Sequence, residues 1–157
     1  MKDTNRTKAV PTAAGSALEV VAEYSAALAT GENDRMDVFR AQDFALDLIH
    51  RDVFEEGVLS REETKAFWPS WFASFPEMDY QVTRTVAALE VVVTQWVFMG
   101  TNTGPLTPPV FGSHMNPTGR TIRFRGVSVY DVQGGFIKRE TIYLDMATLL
   151  VELGVTF

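Results

Sequence analysis

The chain has 157 residues and a mass of 17.5 kDa, which is the size of one ordinary domain. Hydrophobic residues make up 46% of it and charged residues 22%, so it can form a core and is not disordered overall. A net charge of −6 has the wrong sign for binding a phosphate backbone. Nucleic acids and anionic membranes are therefore excluded as expected partners.

The missing residue types exclude further chemistry. Cysteine is absent, which rules out disulfides, thiolate nucleophiles and thiolate metal sites. With only His50 and His114 present, a histidine-rich metal site is excluded as well. No apolar run approaches the roughly 18 residues of a membrane span, and the N-terminus lacks a hydrophobic signal region. We expect a cytoplasmic protein.

The N-terminal half is predicted to be helical after a tail. Residues 1–15 show no periodicity and predict a flexible tail, which places the domain at 16–157. Ser16 and Glu19 form a capping-box pattern that starts a first helix. A second helical pattern follows over 38–49 and ends around His50.

A third predicted helix is aromatic on one face. Ser60 and Glu63 make a second capping-box pattern, and Pro76 ends the segment. Aromatic side chains follow at helical spacing, namely Phe67, Trp68, Trp71, Phe72 and Phe75.

The C-terminal half changes to a period of two, which predicts strands over 80–89, 90–101, 121–132 and 136–145. Gly134 and Gly135 indicate a tight hairpin between the last two strands. A proline-rich loop, 104–119, separates the second strand from the third and is predicted to cover a cavity. Three helices followed by four antiparallel strands indicate an α+β fold.

Four segments carry a resemblance to a known family: FASFPEMDYQV, WVFMGTNTG, PTGRTIRFRGVSVYDV and GGFIKRETIYLDMATLLVELG. In this order they resemble the SnoaL-like polyketide cyclases, a branch of the nuclear-transport-factor-2-like fold. The resemblance implies a cone-shaped antiparallel sheet wrapped around three helices, with an apolar pocket open at one end. It also implies a homodimer packed through the outer sheet face and an apolar small-molecule substrate.

The last predicted strand matches the family pattern E..Y.D with Glu140, Tyr143 and Asp145. Strand alternation puts Tyr143 and Asp145 on one face and Glu140 on the other. The family orientation implies that Asp145 lies at the cavity wall, where burial would raise its pKa toward the range of general acid–base catalysis. Asp145 and Tyr143 are therefore the predicted catalytic residues. In the alternative interpretation, Asp145 only caps the helix that follows.

Several other residues are candidate ligand contacts, with core packing or solvent exposure as the competing interpretation. By strand alternation or by position they are Trp96, Asn102, Phe124, Ser128 and Tyr130, together with Trp71, His50 and His114. Two of them depart from the family, in which many members have histidine at the position of Asn102 and aspartate at that of Ser128.

The resulting hypothesis is a cofactor-independent and metal-independent cyclase of polyketide or related secondary metabolism. Asp145 would remove a proton next to one carbonyl, the enolate would attack a second carbonyl, and the acid would protonate the new alkoxide. Asn102, Ser128 and Tyr143 would orient the carbonyl oxygens. The alternatives are an isomerase, a dehydratase or an epoxide-opening hydrolase or cyclase on the same scaffold. A non-catalytic dimeric ligand-binding module is the other alternative.

Overall fold

The computed structural model describes residues 16–48 and 58–156. The helices of these ranges are α1 (Ser16–Ala29), α2 (Asn33–Asp37), α3 (Arg61–Ser74) and α4 (Met146–Leu153). The predicted tail and His50 lie outside the described residues, as does the side chain of Ser16. The capping box before α3 is confirmed, because Ser60 Oγ accepts a hydrogen bond from Glu63 N while the Glu63 carboxylate accepts one from Ser60 N.

Six strands form one sheet in the described part of the chain. They are β1 (Arg40–Leu48), β2 (Val58–Ser60), β3 (Glu77–Ala88), β4 (Val91–Thr101), β5 (Thr121–Gln133) and β6 (Phe136–Leu144), in the spatial order β2-β1-β6-β5-β4-β3. The four strands predicted for the C-terminal half are confirmed to within a few residues. The hairpin at Gly134 and Gly135 is confirmed too, and both residues have the positive φ angles that glycine accepts most easily.

The predicted second helix is wrong, because most of that segment is strand β1. Phe44, Leu46 and Leu48 are buried on alternate positions, which is the strand period, although the same segment also fits a helical spacing. Pairing decides between the two periods. β1 lies parallel to β6 on one side and antiparallel to the short β2 on the other.

The remaining architecture confirms the predicted α+β cone. The sheet is antiparallel except for the β1–β6 pair, and it curves around the helices. Register irregularities in the β1–β6, β3–β4 and β5–β6 pairings are places where strands bend. The core lies between the concave sheet face and helices α1 and α3. No helix of the described ranges is long and apolar enough to cross a bilayer.

Candidate active site

The cone encloses a cavity of about 240 Å³ between α3, α4 and the concave face of the sheet. An apolar cavity of about 150 Å³ holds benzene, so this space suits a ligand of on the order of ten non-hydrogen atoms. Its lining is mostly aromatic and aliphatic, and includes Phe67, Trp68, Trp71, Tyr80, Trp96, Phe98, Phe111, Phe124 and Ile142. Among the described residues of this lining, Glu140 is the charged side chain.

Glu140 projects from β6 into this apolar interior and is completely buried. Its Oε2 accepts a hydrogen bond of 2.8 Å from the hydroxyl of Tyr24, which comes from α1. Burial raises the pKa of Glu140 to about 7, while the Tyr24 hydrogen bond, the Arg40 charge and the Tyr130 hydroxyl act in the opposite direction. A carboxyl group with this pKa both takes up and releases a proton near neutral pH.

Asp145 does not lie in the cavity, which corrects the expectation from the family orientation. It is exposed and caps α4, where its carboxylate accepts hydrogen bonds from Thr148 N (3.1 Å) and Thr148 Oγ1 (2.7 Å). The Thr148 side-chain hydrogen bond holds the pKa of Asp145 below its usual value instead of raising it. Tyr143 is 48% exposed and lies on the convex face, away from the cavity.

Asn102 is also misplaced in the prediction, because it anchors the proline-rich loop and is not part of the cavity lining. The side chain is fully buried. Its Nδ2 donates to Ser74 O (3.1 Å) and Gly104 O (2.9 Å), and its Oδ1 accepts from Thr118 N (2.8 Å) and Thr118 Oγ1 (2.9 Å). The Asn102 side chain therefore uses both of its N–H donors and its carbonyl oxygen within the protein and has none left for a ligand.

The loop itself reaches the cavity, as predicted for 104–119. Val110, Phe111 and Gly112 contribute to the lining, and the ring of Phe111 stacks on Trp71 at 6.4 Å. The exposed His114 is not among the lining residues. The loop thus covers one part of the cavity with apolar groups, and His114 lies on its solvent side.

Four predicted ligand contacts do lie in the cavity wall, namely Trp71, Trp96, Phe124 and Ser128. Trp96 Nε1 donates to Ser128 Oγ at 2.9 Å. Gly126 makes room for this indole, because a Cβ there would lie 2.2 Å from its ring. Tyr130 is fully buried behind the wall, packed edge-on against Tyr24. Tyr130 was predicted to contact the ligand, but it is not part of the cavity lining.

Two residues of the cavity wall, Glu140 and Trp68, are not among the predicted site residues. The predicted separation of Glu140 from Tyr143 on opposite faces is correct, but the cavity lies on the face of Glu140 and not on that of Tyr143. The alternation of polar Arg139, Thr141 and Tyr143 with Glu140, Ile142 and Leu144 indicates that Glu140 shares the apolar face. Trp68 also lines the cavity, and its buried Nε1 has no hydrogen-bond partner among the described residues.

The described ranges contain no cluster of residues that could bind a metal ion. No three histidine, aspartate or glutamate side chains of residues 16–48 and 58–156 come together as metal ligands would.

A curved sheet closed by helices over an apolar cavity is the nuclear-transport-factor-2-like fold, and the sequence identifies the family within it. The family model of the SnoaL-like polyketide cyclases matches residues 18–153, so the chain belongs to this family. No curated protein sequence matches it significantly.

Solved structures share the fold at low sequence identity. A candidate SnoaL-like polyketide cyclase from Jannaschia sp. CCS1 superposes with a TM-score of 0.77 at 14% identity, over 96% of this chain and 100% of that one. IdmH from Streptomyces antibioticus, a candidate polyketide cyclase, gives 0.70 at 24% identity, over 88% and 99%. An epoxide hydrolase of M. tuberculosis that resembles the LEH enzymes gives 0.65 at 14%, over 89% and 90%.

The anchoring role of Asn102 leads to a first prediction. Asn102→Ala removes four hydrogen bonds and leaves buried partners unsatisfied, so it should lower the free energy of unfolding by at least about 2 kcal/mol. It should also speed protease cleavage within 104–119. Urea unfolding and limited proteolysis measure the two effects, with the exposed His114→Ala as the control for cutting in the loop. Unchanged stability would contradict the anchoring role.

Burial of Glu140 predicts a pH-dependent stability. Below about pH 4.5 the group is protonated in both states, so its burial carries no charge penalty. As the pH rises toward 7, the unfolded chain loses the proton while the folded protein keeps it, and stability falls. Above the folded pKa the loss is complete, at about 3 kcal/mol.

The comparison variant is Glu140→Gln, which has no titrating group at this position. Urea unfolding of both proteins between pH 4 and 8 should show the wild type losing stability relative to the variant across this window. Parallel curves would show that Glu140 has an ordinary pKa in the folded protein.

Proposed function

We propose that this protein is a cofactor-independent enzyme that closes a ring in a polyketide-like small molecule, with Glu140 as the general acid and base. The observation that carries the proposal is the buried carboxyl group of Glu140, with a pKa of about 7, in the described part of an aromatic cavity wall. The family membership supports a cyclase or isomerase type of scaffold.

The proposed reaction is an intramolecular aldol addition. The Glu140 carboxylate takes a proton from the carbon next to a carbonyl, so the C–H bond breaks and an enolate forms. The enolate carbon attacks a second carbonyl carbon of the same molecule, which makes the new C–C bond and an alkoxide. The protonated Glu140 then returns its proton to the alkoxide, and the carboxylate is regenerated for the next turnover.

Two cavity groups are suited to hold the carbonyl oxygens. Ser128 Oγ accepts the indole N–H of Trp96, so its own hydroxyl proton remains available for a ligand oxygen. Trp68 Nε1 offers a second donor from the opposite wall, on α3. Donors aimed at a developing negative charge in a water-poor site stabilise the enolate more than they would in water.

The apolar walls contribute by folding the substrate. Holding two reacting groups of one molecule in contact is worth up to roughly 7–11 kcal/mol in favourable cases. General acid–base catalysis by Glu140 adds roughly a hundredfold to ten-thousandfold. These two effects need no metal ion or organic cofactor.

Isomerisation is the second candidate. A single carboxyl group that removes a proton from one carbon and returns it to another is sufficient for this reaction, and Glu140 is one such group. The M. tuberculosis epoxide hydrolase shares the fold, so epoxide opening with the same carboxyl group belongs to this candidate class. A protein that only binds its ligand would need the cavity but no titrating Glu140.

The mechanism predicts opposite outcomes for two carboxylates. Glu140→Gln should lower kcat by at least about a hundredfold with little change in ligand affinity. Asp145→Asn should keep kcat within a few fold, because Asp145 caps α4 outside the cavity. Substrates for the assay are the metabolites made by enzymes encoded beside the gene, and wild-type kcat/KM should rise with pH to a plateau above about 7.

The opposite pattern, in which Asp145→Asn is inactive and Glu140→Gln is active, would return the chemistry to Asp145. Ligand binding without turnover in the wild type would favour a binding module.

We further propose that the protein forms a homodimer through the convex face of the sheet. Val93, Val97, Val127 and Val129 lie partly exposed on neighbouring strands of this face, beside the half-exposed Tyr143. A second copy would remove this apolar area from water. The same face also carries Arg125, paired with Val97, and Gln95, paired with Val127, so polar side chains lie among these valines.

Sedimentation at micromolar concentration should therefore give a mass of about twice 17.5 kDa. Val127→Glu places a charge beside Tyr143 on this face and should shift the protein toward monomer. Val151→Glu, at an exposed position of α4 away from the sheet face, should not. A monomeric wild type would exclude this interface.

A further inference from the structure

A buried arginine lies behind the carboxyl group of the proposed active site. The side chain of Arg40, from β1, has no solvent exposure, and its guanidinium lies over the rings of Tyr24 (5.5 Å) and Phe44 (5.4 Å). Its Nη1 is 3.6 Å from the Asp37 carboxylate. Removing such a charge from water is costly, so its placement needs a specific set of partners.

The hydroxyl of Tyr24 is the main partner. Arg40 Nε and Nη2 both donate to Tyr24 Oη, at 3.4 Å and 3.2 Å. A guanidinium has donors only, so Tyr24 must accept from it, and the one phenolic proton is left to point elsewhere. That proton goes to Glu140 Oε2 at 2.8 Å. The direction of the hydrogen-bond chain from Arg40 through Tyr24 to Glu140 is therefore set by Arg40.

The two oxygens of Glu140 are consequently different. Oε2 accepts from Tyr24, whereas Oε1 has no hydrogen-bond partner among the described residues. We propose that Arg40, acting through Tyr24, is a positioning residue that keeps Oε2 occupied and leaves Oε1 as the atom that exchanges a proton with the ligand. This inference rests on the proposed function of Glu140.

Two further phenols face Glu140, and the hydroxyl of Tyr130 also favours its carboxylate form, although it makes no hydrogen bond within 3.5 Å among the described residues. Tyr80 and Tyr130 approach from β3 and β5, and burial raises the pKa of both phenols, as it does for Tyr24. All three phenols therefore stay protonated at neutral pH. Arg40 is the charged neighbour of Glu140, and the Arg40 charge and the Tyr24 hydrogen bond both favour the carboxylate form.

The test measures the titration of Glu140 directly, without a substrate. Protein labelled with ¹³C at the glutamate side-chain carboxyl is titrated by NMR, and the Glu140 signal is assigned by its absence in Glu140→Gln. Tyr24→Phe keeps the ring and removes the hydrogen bond, so it should raise the pKa of Glu140 by about one unit.

Arg40→Met should raise the pKa of Glu140 as well, because the Tyr24 hydroxyl becomes free to accept a proton from the neutral acid. Arg40→Lys keeps a charge and a donor and should restore part of the shift. Ser25→Ala is the matched control, since it removes a buried hydroxyl from the next position of α1 that does not bond to Glu140. It should leave the titration unchanged.

Tyr24→Phe is the deciding variant, because it keeps its shape even where Arg40→Met does not fold. If folded Tyr24→Phe titrates at Glu140 as the wild type does, the positioning role is wrong. Lower activity with an unmoved midpoint of the pH profile would also overturn it, since this indicates a structural role alone. Full activity of Glu140→Gln would instead contradict the proposed function. The shift of the Glu140 titration in Tyr24→Phe would still test whether Tyr24 links Arg40 to Glu140.

Discussion

The burial of one carboxyl group is the constraint on which the rest of this site depends. Glu140 lies in an interior of aromatic and aliphatic side chains, where its ionised form is poorly solvated. The hydrogen bond from Tyr24 and the charge of Arg40 offset part of this cost, so the pKa settles near neutrality. A less supported carboxyl group would stay protonated, and an exposed one would stay ionised.

The fold supplies these supports from separate parts of the chain. α1 contributes Tyr24, β1 contributes Arg40, and β6 contributes Glu140 itself. β1 runs parallel to β6, which sets the arginine strand directly beside the carboxylate strand. The acid and its partners are thus 100 or more residues apart in sequence and meet only when the sheet forms.

Two positions that differ from many family members have different roles in this chain, one outside the cavity and one in its wall. Asn102 holds both ends of the proline-rich loop, and Ser128 receives the indole N–H of Trp96. Among the described residues of the cavity wall, the carboxyl group is that of Glu140, which comes from β6.

The sequence by itself determined the local features, because they depend on neighbouring residues: the capping box at Ser60, the hairpin at Gly134, the four C-terminal strands and the family. For 38–49 it predicted a helix, which is wrong: both periods fit this segment, and pairing of β1 with β2 and β6 selects the strand. The exposed position of Asp145 and the buried one of Glu140 depend on the face that meets α1 and α3. Burial and the contact with Arg40 are long-range properties, and only the tertiary structure set them.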